Sequence, residues 1–209
     1  MTTPRDPPTL IENPESIHTF WFGENKDDSV VAQQKSRLWW AKDSQTDLTV
    51  AKRFSFSTQA AALGQLDSWS LTAQGHLALI LLLDQFPRNM YRGLPKSFSF
   101  DAHALNWSLR GLAEGIDQQL RPIERVFFYL PLEHAESLAH QEHAVGLFEK
   151  LLADVPTQHI ETFVGFVQFA KRHRDVIARF GRFPHRNAIL ERACTDAERV
   201  FLKTPGSSF

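Results

Sequence analysis

The most apolar stretch of this chain, and the polar segment that follows it, read Leu77-Ala78-Leu79-Ile80-Leu81-Leu82-Leu83-Asp84-Gln85-Phe86-Pro87-Arg88-Asn89. Leu and Ile fall on every face of the first seven residues. A helix with no polar side must be central and surrounded by other helices. Thr72 stands upstream as a good N-cap. Pro87 disfavours the helical region for Phe86, so the helix is expected to stop at Phe-Pro and present Arg88 and Asn89. A second stretch repeats that ending: Phe180-Gly181-Arg182-Phe183-Pro184-His185-Arg186-Asn187. Each combines a rigid turn with planar hydrogen-bonding groups, which predicts a polar site where helices stop.

Outward from these two segments the rest of the chain also reads as helix. Pro14 suits the first turn of a helix over residues 14–22, with Asn13 as its cap and Gly23 as its stop. Asp27 or Asp28 caps a second helix ending near Trp40, and a weaker pattern predicts a third over residues 48–66. A fifth runs from about Asp101 to Gly115. A sixth opens at Pro122, is ended or kinked by Pro131, and resumes to about Ala153. Pro156 and Thr157 open the next helix, which ends at Gly181; Pro184 opens a short one and Thr195 caps the last. No alternating run is long enough to build a sheet. The expectation is an all-α single domain over residues 14–209, made of antiparallel helix pairs with short connections, preceded by a flexible arm at residues 1–13.

With 209 residues, 17 Phe and 5 Trp, the chain can bury a sizeable core. A net charge of -1 argues against a general nucleic-acid binder, which carries a strong basic excess. Cys194 is the only cysteine, so an intramolecular disulfide and an all-cysteine metal site are excluded. The first 13 residues lack a basic region followed by an apolar core. The run at residues 77–83 is far shorter than the roughly 20 residues a membrane span needs. A soluble cytoplasmic protein is expected, with no membrane association.

Polar residues interrupt two apolar stripes. Phe163, Phe166, Ala170, His173, Ile177 and Phe180 share one helix face by their spacing, with Arg174 beside it. His134, Leu138, Gln141, Val145, Phe148 and Leu152 follow the same rhythm. A buried polar group left unpaired costs about 1–3 kcal/mol, so His134, Gln141 and His173 should face one another, water or a ligand. Asp84, at a helix C-terminus whose dipole disfavours a carboxylate, requires a cation; Arg88 and Arg92 are near in sequence, and Arg174, Arg179, Arg182 and Arg186 are remote candidates. Each of these groups has a purely structural reading as a satisfied core network or ion pair. Glu136, His140 and His143 have metal-compatible helical spacing, but nothing nearby completes a shell, so solvated surface is the expected reading and no metal or cofactor is expected. No G-x-S-x-G elbow and no phosphate-binding glycine loop is present.

Taken in order, Phe20-Trp21-Phe22-Gly23, the segment at residues 81–89, Tyr129-Leu130-Pro131 with Glu133-His134, His173-Arg174, the segment at residues 180–187 and the ending Pro205-Gly206-Ser207-Ser208-Phe209 are similar to domain of unknown function family 924. The resemblance runs from Thr19 over nearly the whole chain. Leu132 replaces a frequent Phe, and His140 and His143 depart from the usual residues there. The resemblance implies a right-handed superhelix of paired helices similar to tetratricopeptide repeats, with a concave groove, and implies no established activity.

Three functions compete. In the first, the groove binds a small anionic molecule or peptide, because a guanidinium fork matches two oxygens. Its lining would be drawn from Asp84, Gln85, Arg88, Asn89, Glu133, His134, Gln141, His173, Arg174, Arg182, His185, Arg186 and Asn187. In the second, a hydrolase-type enzyme uses His134 or His173 as base, oriented by Glu133 or Asp84. In the third, the same groups only fix helix packing. Binding ranks first, since donors are many and no activated nucleophile is visible.

Overall fold

The computed structural model describes residues 11–208, and every regular element among them is helical. Most of the expected N-terminal arm lies outside the described residues. Within its last part, the Glu12 backbone N–H donates to Ser57 Oγ at 2.9 Å, and the Glu12 carboxylate accepts from Arg53 Nε at 3.0 Å.

Helix ends follow their caps. Helix α1 (Pro14–Phe22) starts where the Asn13 side chain accepts the Ser16 N–H and stops at Gly23, whose φ of 74° suits glycine alone. In α2 (Asp28–Trp40) the cap is Asp27. Helix α3 (Ser44–Ala62) begins earlier than residue 48, because Asp43 caps it by accepting the Thr46 N–H, and it ends before residue 66 at Ala62. Thr72 caps α4 (Ala73–Leu83) as expected, and residues 77–83 are fully buried.

The Phe-Pro segment departs from expectation. Phe86 and Pro87 are both helical, within α5 (Gln85–Met90). The break falls two residues earlier, at Asp84 (φ -107°, ψ -59°). Pro87 therefore sits in a first turn, where N–H groups have no intrahelical acceptor and a missing donor costs little. Helix α6 spans Asp101–Ala113. Helix α7 (Pro122–His134) continues through Pro131, and the interruption comes at residues 135–137 instead. Burial of every residue from 126 to 133 outweighs the roughly 3 kcal/mol penalty of an interior proline. Helix α8 (Leu138–Asp154), a short turn at Thr157–His159, α9 (Ile160–Phe180) and α10 (Asp196–Phe201) complete the order. Gly181 (φ 68°) terminates α9, Pro184 opens a single turn, and Thr195 with Glu198 forms a capping box.

Backbone contacts group the chain into two compact units: the described residues through Arg92 with Lys96–Pro131, and Gly93–Pro95 with Leu132 onward. The first is built on α4 and on an aromatic cluster in which Trp21 meets Trp39, Phe86 and Phe127 at ring-centroid distances of 6.4, 5.4 and 5.5 Å. In the second, α9 folds back along α8, and Lys171 pairs with Glu149 at 2.6 Å. The buried stripe of α9 is Phe163, Val167, Ala170, His173, Val176 and Ile177; Phe166 and Phe180 are only half-buried. That of α8 is Gln141, Ala144, Val145, Phe148 and Leu151. His134 belongs to α7 and Leu138 is exposed. The break at residues 135–137 resets the helical phase, so one rhythm could not carry across it. No helix among the described residues is long and apolar enough to cross a membrane.

Candidate functional site

The expected site residues fall into two clusters, one in each unit. In the first unit Asp84 is fully buried, and the Gln85 amide donates to its Oδ2 at 2.5 Å. The Arg88 guanidinium lies 3.6 Å from Asp84 Oδ1. Arg88 also donates to the Ser97 carbonyl at 2.7 Å and to Asp101 Oδ2 at 2.9 Å. Asn89 donates to Asp47 Oδ1 at 2.9 Å, and Arg92 grips the same carboxylate with two bonds of 2.7 and 2.8 Å. Burial alone would raise the Asp47 pKa; the Arg92 and Asn89 hydrogen bonds outweigh it and hold the group below its usual range. Asp47, on the first turn of α3, is 45 residues from Arg92, and no local spacing could have announced it.

In the second unit His173 Nδ1 lies 3.0 Å from Glu133 Oε1 and 3.0 Å from the Phe169 carbonyl. Both side chains of the pair are almost wholly buried. The His134 ring is 6.4 Å from that of His173, and Phe183 closes edge-on at 5.5 Å. The Arg186 guanidinium covers the Phe183 ring at 4.5 Å, and His185 tilts against it at 5.6 Å. Arg186 is only 7% exposed. Truncating it would remove contact area from the buried Phe183 ring. Gln141 has a local duty. Its Nε2 donates to the Glu133 and Ala135 carbonyls at 2.5 and 2.8 Å, satisfying acceptors where α7 ends. Its Oε1 is buried with no hydrogen-bond partner among the described residues.

Around this pair the charges are matched by residues that spacing did not reveal. Arg192 donates to both oxygens of Glu136 at 2.6 and 2.9 Å, and Glu136 also accepts the Phe183 N–H at 2.8 Å. Glu136 precedes α8 and is taken by Arg192, so it does not share a helix face with His140 and His143, as its spacing suggested. Asn187 is fully buried, donates to Cys194 Sγ at 3.2 Å and accepts from Arg192 Nε at 3.0 Å. Arg174 pairs with its neighbour Asp175 at 2.7 Å. Arg182 binds Glu198 with two bonds of 2.6 and 2.8 Å, which hold the Glu198 carboxyl down at a pKa of about 2. Among the described residues no three His, Cys, Asp or Glu side chains converge as a metal site requires.

Between the end of α9 and the start of α10 lies an open groove of about 470 Å³, lined by Arg179, Phe180, Arg182, Thr195, Ala197 and Glu198. Two guanidiniums and one carboxylate line it. Arg182 takes the carboxylate. Arg179 lies over the Phe180 ring at 4.7 Å and makes no carboxylate pair among the described residues.

No curated protein matches the chain significantly. A solved protein of unknown function, ATU0120 from Agrobacterium tumefaciens, is similar to it: 37% identical, with a TM-score of 0.71, covering 85% of this chain and 99% of that one. The sequence profile of the family described as bacterial protein of unknown function (DUF924) matches residues 17–206. With the ordered motifs and the all-helical fold, this match establishes that the chain belongs to that family.

Proposed function

We propose that the chain is a binding protein for a small anionic molecule or peptide, held in the groove between the end of α9 and the start of α10. The observation that carries this reading is Arg179, a guanidinium without a carboxylate partner among the described residues, at the lip of a groove of about 470 Å³. That volume lies within the range of small-molecule sites. Phe180 offers an apolar floor, and a carboxylate or phosphate would meet Arg179 as a two-oxygen acceptor. Arg182, expected in the site from sequence, would hold the groove's shape through Glu198. A cytoplasmic protein whose helix pairs follow a tetratricopeptide-like right-handed superhelix completes the proposal; the family resemblance and the tight reversal from α8 to α9 support it.

Titration calorimetry with inorganic phosphate, citrate and an acidic peptide tests the reading. At least one should bind, and Arg179→Ala should weaken that binding about tenfold, the value of one charge-assisted contact. Arg179 is exposed, so the variant should melt like the parent. Equal affinities for parent and variant, or no binding by any of the three, would overturn it. A hydrolase-type enzyme is the second reading, favoured by the buried Glu133–His173 contact of 3.0 Å. Turnover of a generic ester that is lost in His173→Gln would favour it. The scaffold reading draws support from the internal pairing of Arg92 and Arg192, and it takes first place if neither experiment gives a signal.

A further inference from the structure

We propose that the first unit holds a second ligand site, a cleft that takes a small primary amine. The cleft is an open depression of about 330 Å³ between the end of α3 with its following turn and the first half of α6. Its space exists because the facing side chains are small. Ala61 and Ala62 bring only methyl groups from one side, and Ala102 from the other. Gly64 (φ 74°) turns the chain beneath them; a Cβ on it would lie 3.4 Å from Asp67 Oδ2, so its absence keeps open the approach to that carboxylate. Trp107, 7% exposed, closes the back with an apolar ring.

The polar side chains of the lining are solvent-exposed and make no hydrogen bond to other side chains among the described residues. Asp67 makes no ion pair and no side-chain cap among the described residues. The His103 ring and the Asn106 amide likewise have no hydrogen-bond partner there. No Lys or Arg lines the cleft, so its one fixed charge is negative. A cleft with a single carboxylate, an imidazole, a side-chain amide and a methyl-lined floor matches an ammonium carried on a short alkyl chain. The ammonium's three donors would meet Asp67, His103 and Asn106, while the alkyl chain covers the alanines and Trp107. An anion would face Asp67 without compensation. A divalent metal would find one carboxylate and one imidazole, too few for a protein site. The volume equals about eleven water molecules at ~30 Å³ each, room for a butylamine-sized molecule and too little for a folded peptide.

The experiment is an amide-resolved NMR titration of the full chain with n-butylammonium chloride, with n-butanol and butyrate as neutral and anionic isosteres. Saturable shifts confined to residues 61–67 and 102–107, seen with the ammonium and much weaker with both isosteres, are expected. Asp67→Asn should raise the dissociation constant about tenfold. Ala102→Leu, at an exposed helical position, should abolish the shifts by filling the space. Both variants should keep the parent spectrum elsewhere. Equal response to butanol and butylammonium, unchanged affinity in Asp67→Asn, or shifts scattered over surface carboxylates would overturn the site. None of these outcomes depends on the anion groove, which lies in the other unit and is probed by different ligands.

Discussion

Asp84 is a carboxylate with no exposed surface, at the end of the most apolar helix in the chain. Such a group persists only when its charge is met where it stands. The Gln85 amide and the nearby Arg88 do part of this, and Arg88 is itself shared with Asp101. Asp84→Ala leaves Arg88 paired with Asp101, so the expected destabilisation is about 1–3 kcal/mol, the cost of leaving the buried Gln85 amide without its acceptor. Urea unfolding measures it, and a change within about 0.5 kcal/mol would show that the carboxylate is dispensable. Burial of Gln141 and His173 was legible in the sequence because each interrupts an apolar stripe, and that of Asp84 because it ends the most apolar helix. One remote partner was legible by its type, Glu133 for His173; others were not. Glu136 and Arg192, 56 residues apart, meet through tertiary packing, which no local pattern encodes. Arg179 was just one of several remote arginines in the sequence; what singles it out, the lack of a carboxylate partner, is a property of the folded surroundings.

At the scale of elements, the contact of α4 with α6 depends on a residue that has no side chain. A Cβ on Gly111 would fall 2.4 Å from Phe128 Cζ and 2.7 Å from His76 Nε2. His76 cannot easily yield, since its Nε2 is 2.8 Å from the Trp107 carbonyl, and Phe128 is fully buried. Alanine would favour the helix by about 1 kcal/mol over glycine. Overpacking a rigid core costs about 1–3 kcal/mol or more, so Gly111→Ala should lower stability on balance. A thermal melt that rises instead would mean α6 can shift away from α4 and α7 freely. Helix existence was largely readable from caps: Asn13, Asp27, Thr72 and Thr195 each act as their type suggests. The prolines were harder. Pro87 and Pro131 are both accommodated within helices, the one by position in a first turn, the other by burial around it. Neither could be weighed without the tertiary environment.

For the whole molecule, acid stability follows from the carboxylates held below their ordinary values. Glu198, lowered from 4.5 to about 2, Glu124, Glu136, Asp47 and Glu12 are all shifted down. Each binds fewer protons folded than unfolded, so its contribution is complete above the unfolded value and fades as pH falls through the folded one. His76, lowered from 6.5 by burial, has the same sign and begins to act first. Stability should thus decline mildly as pH falls below about 6.5 and steeply from about 4.5 towards 2. Circular dichroism melts across that range test this, and a stability maximum near pH 4 would contradict it. A single helical domain further predicts one cooperative transition at neutral pH, whereas two separate steps would mean that the units unfold independently. The aromatic cluster of the first unit makes that distinction measurable. All five tryptophans, Trp21, Trp39, Trp40, Trp69 and Trp107, and both tyrosines, Tyr91 and Tyr129, belong to that unit. The protein is optically lopsided: intrinsic fluorescence watches the first unit alone, while the helical ellipticity also counts α8 and α9, so any lag between the two signals would time the second unit's unfolding without a label.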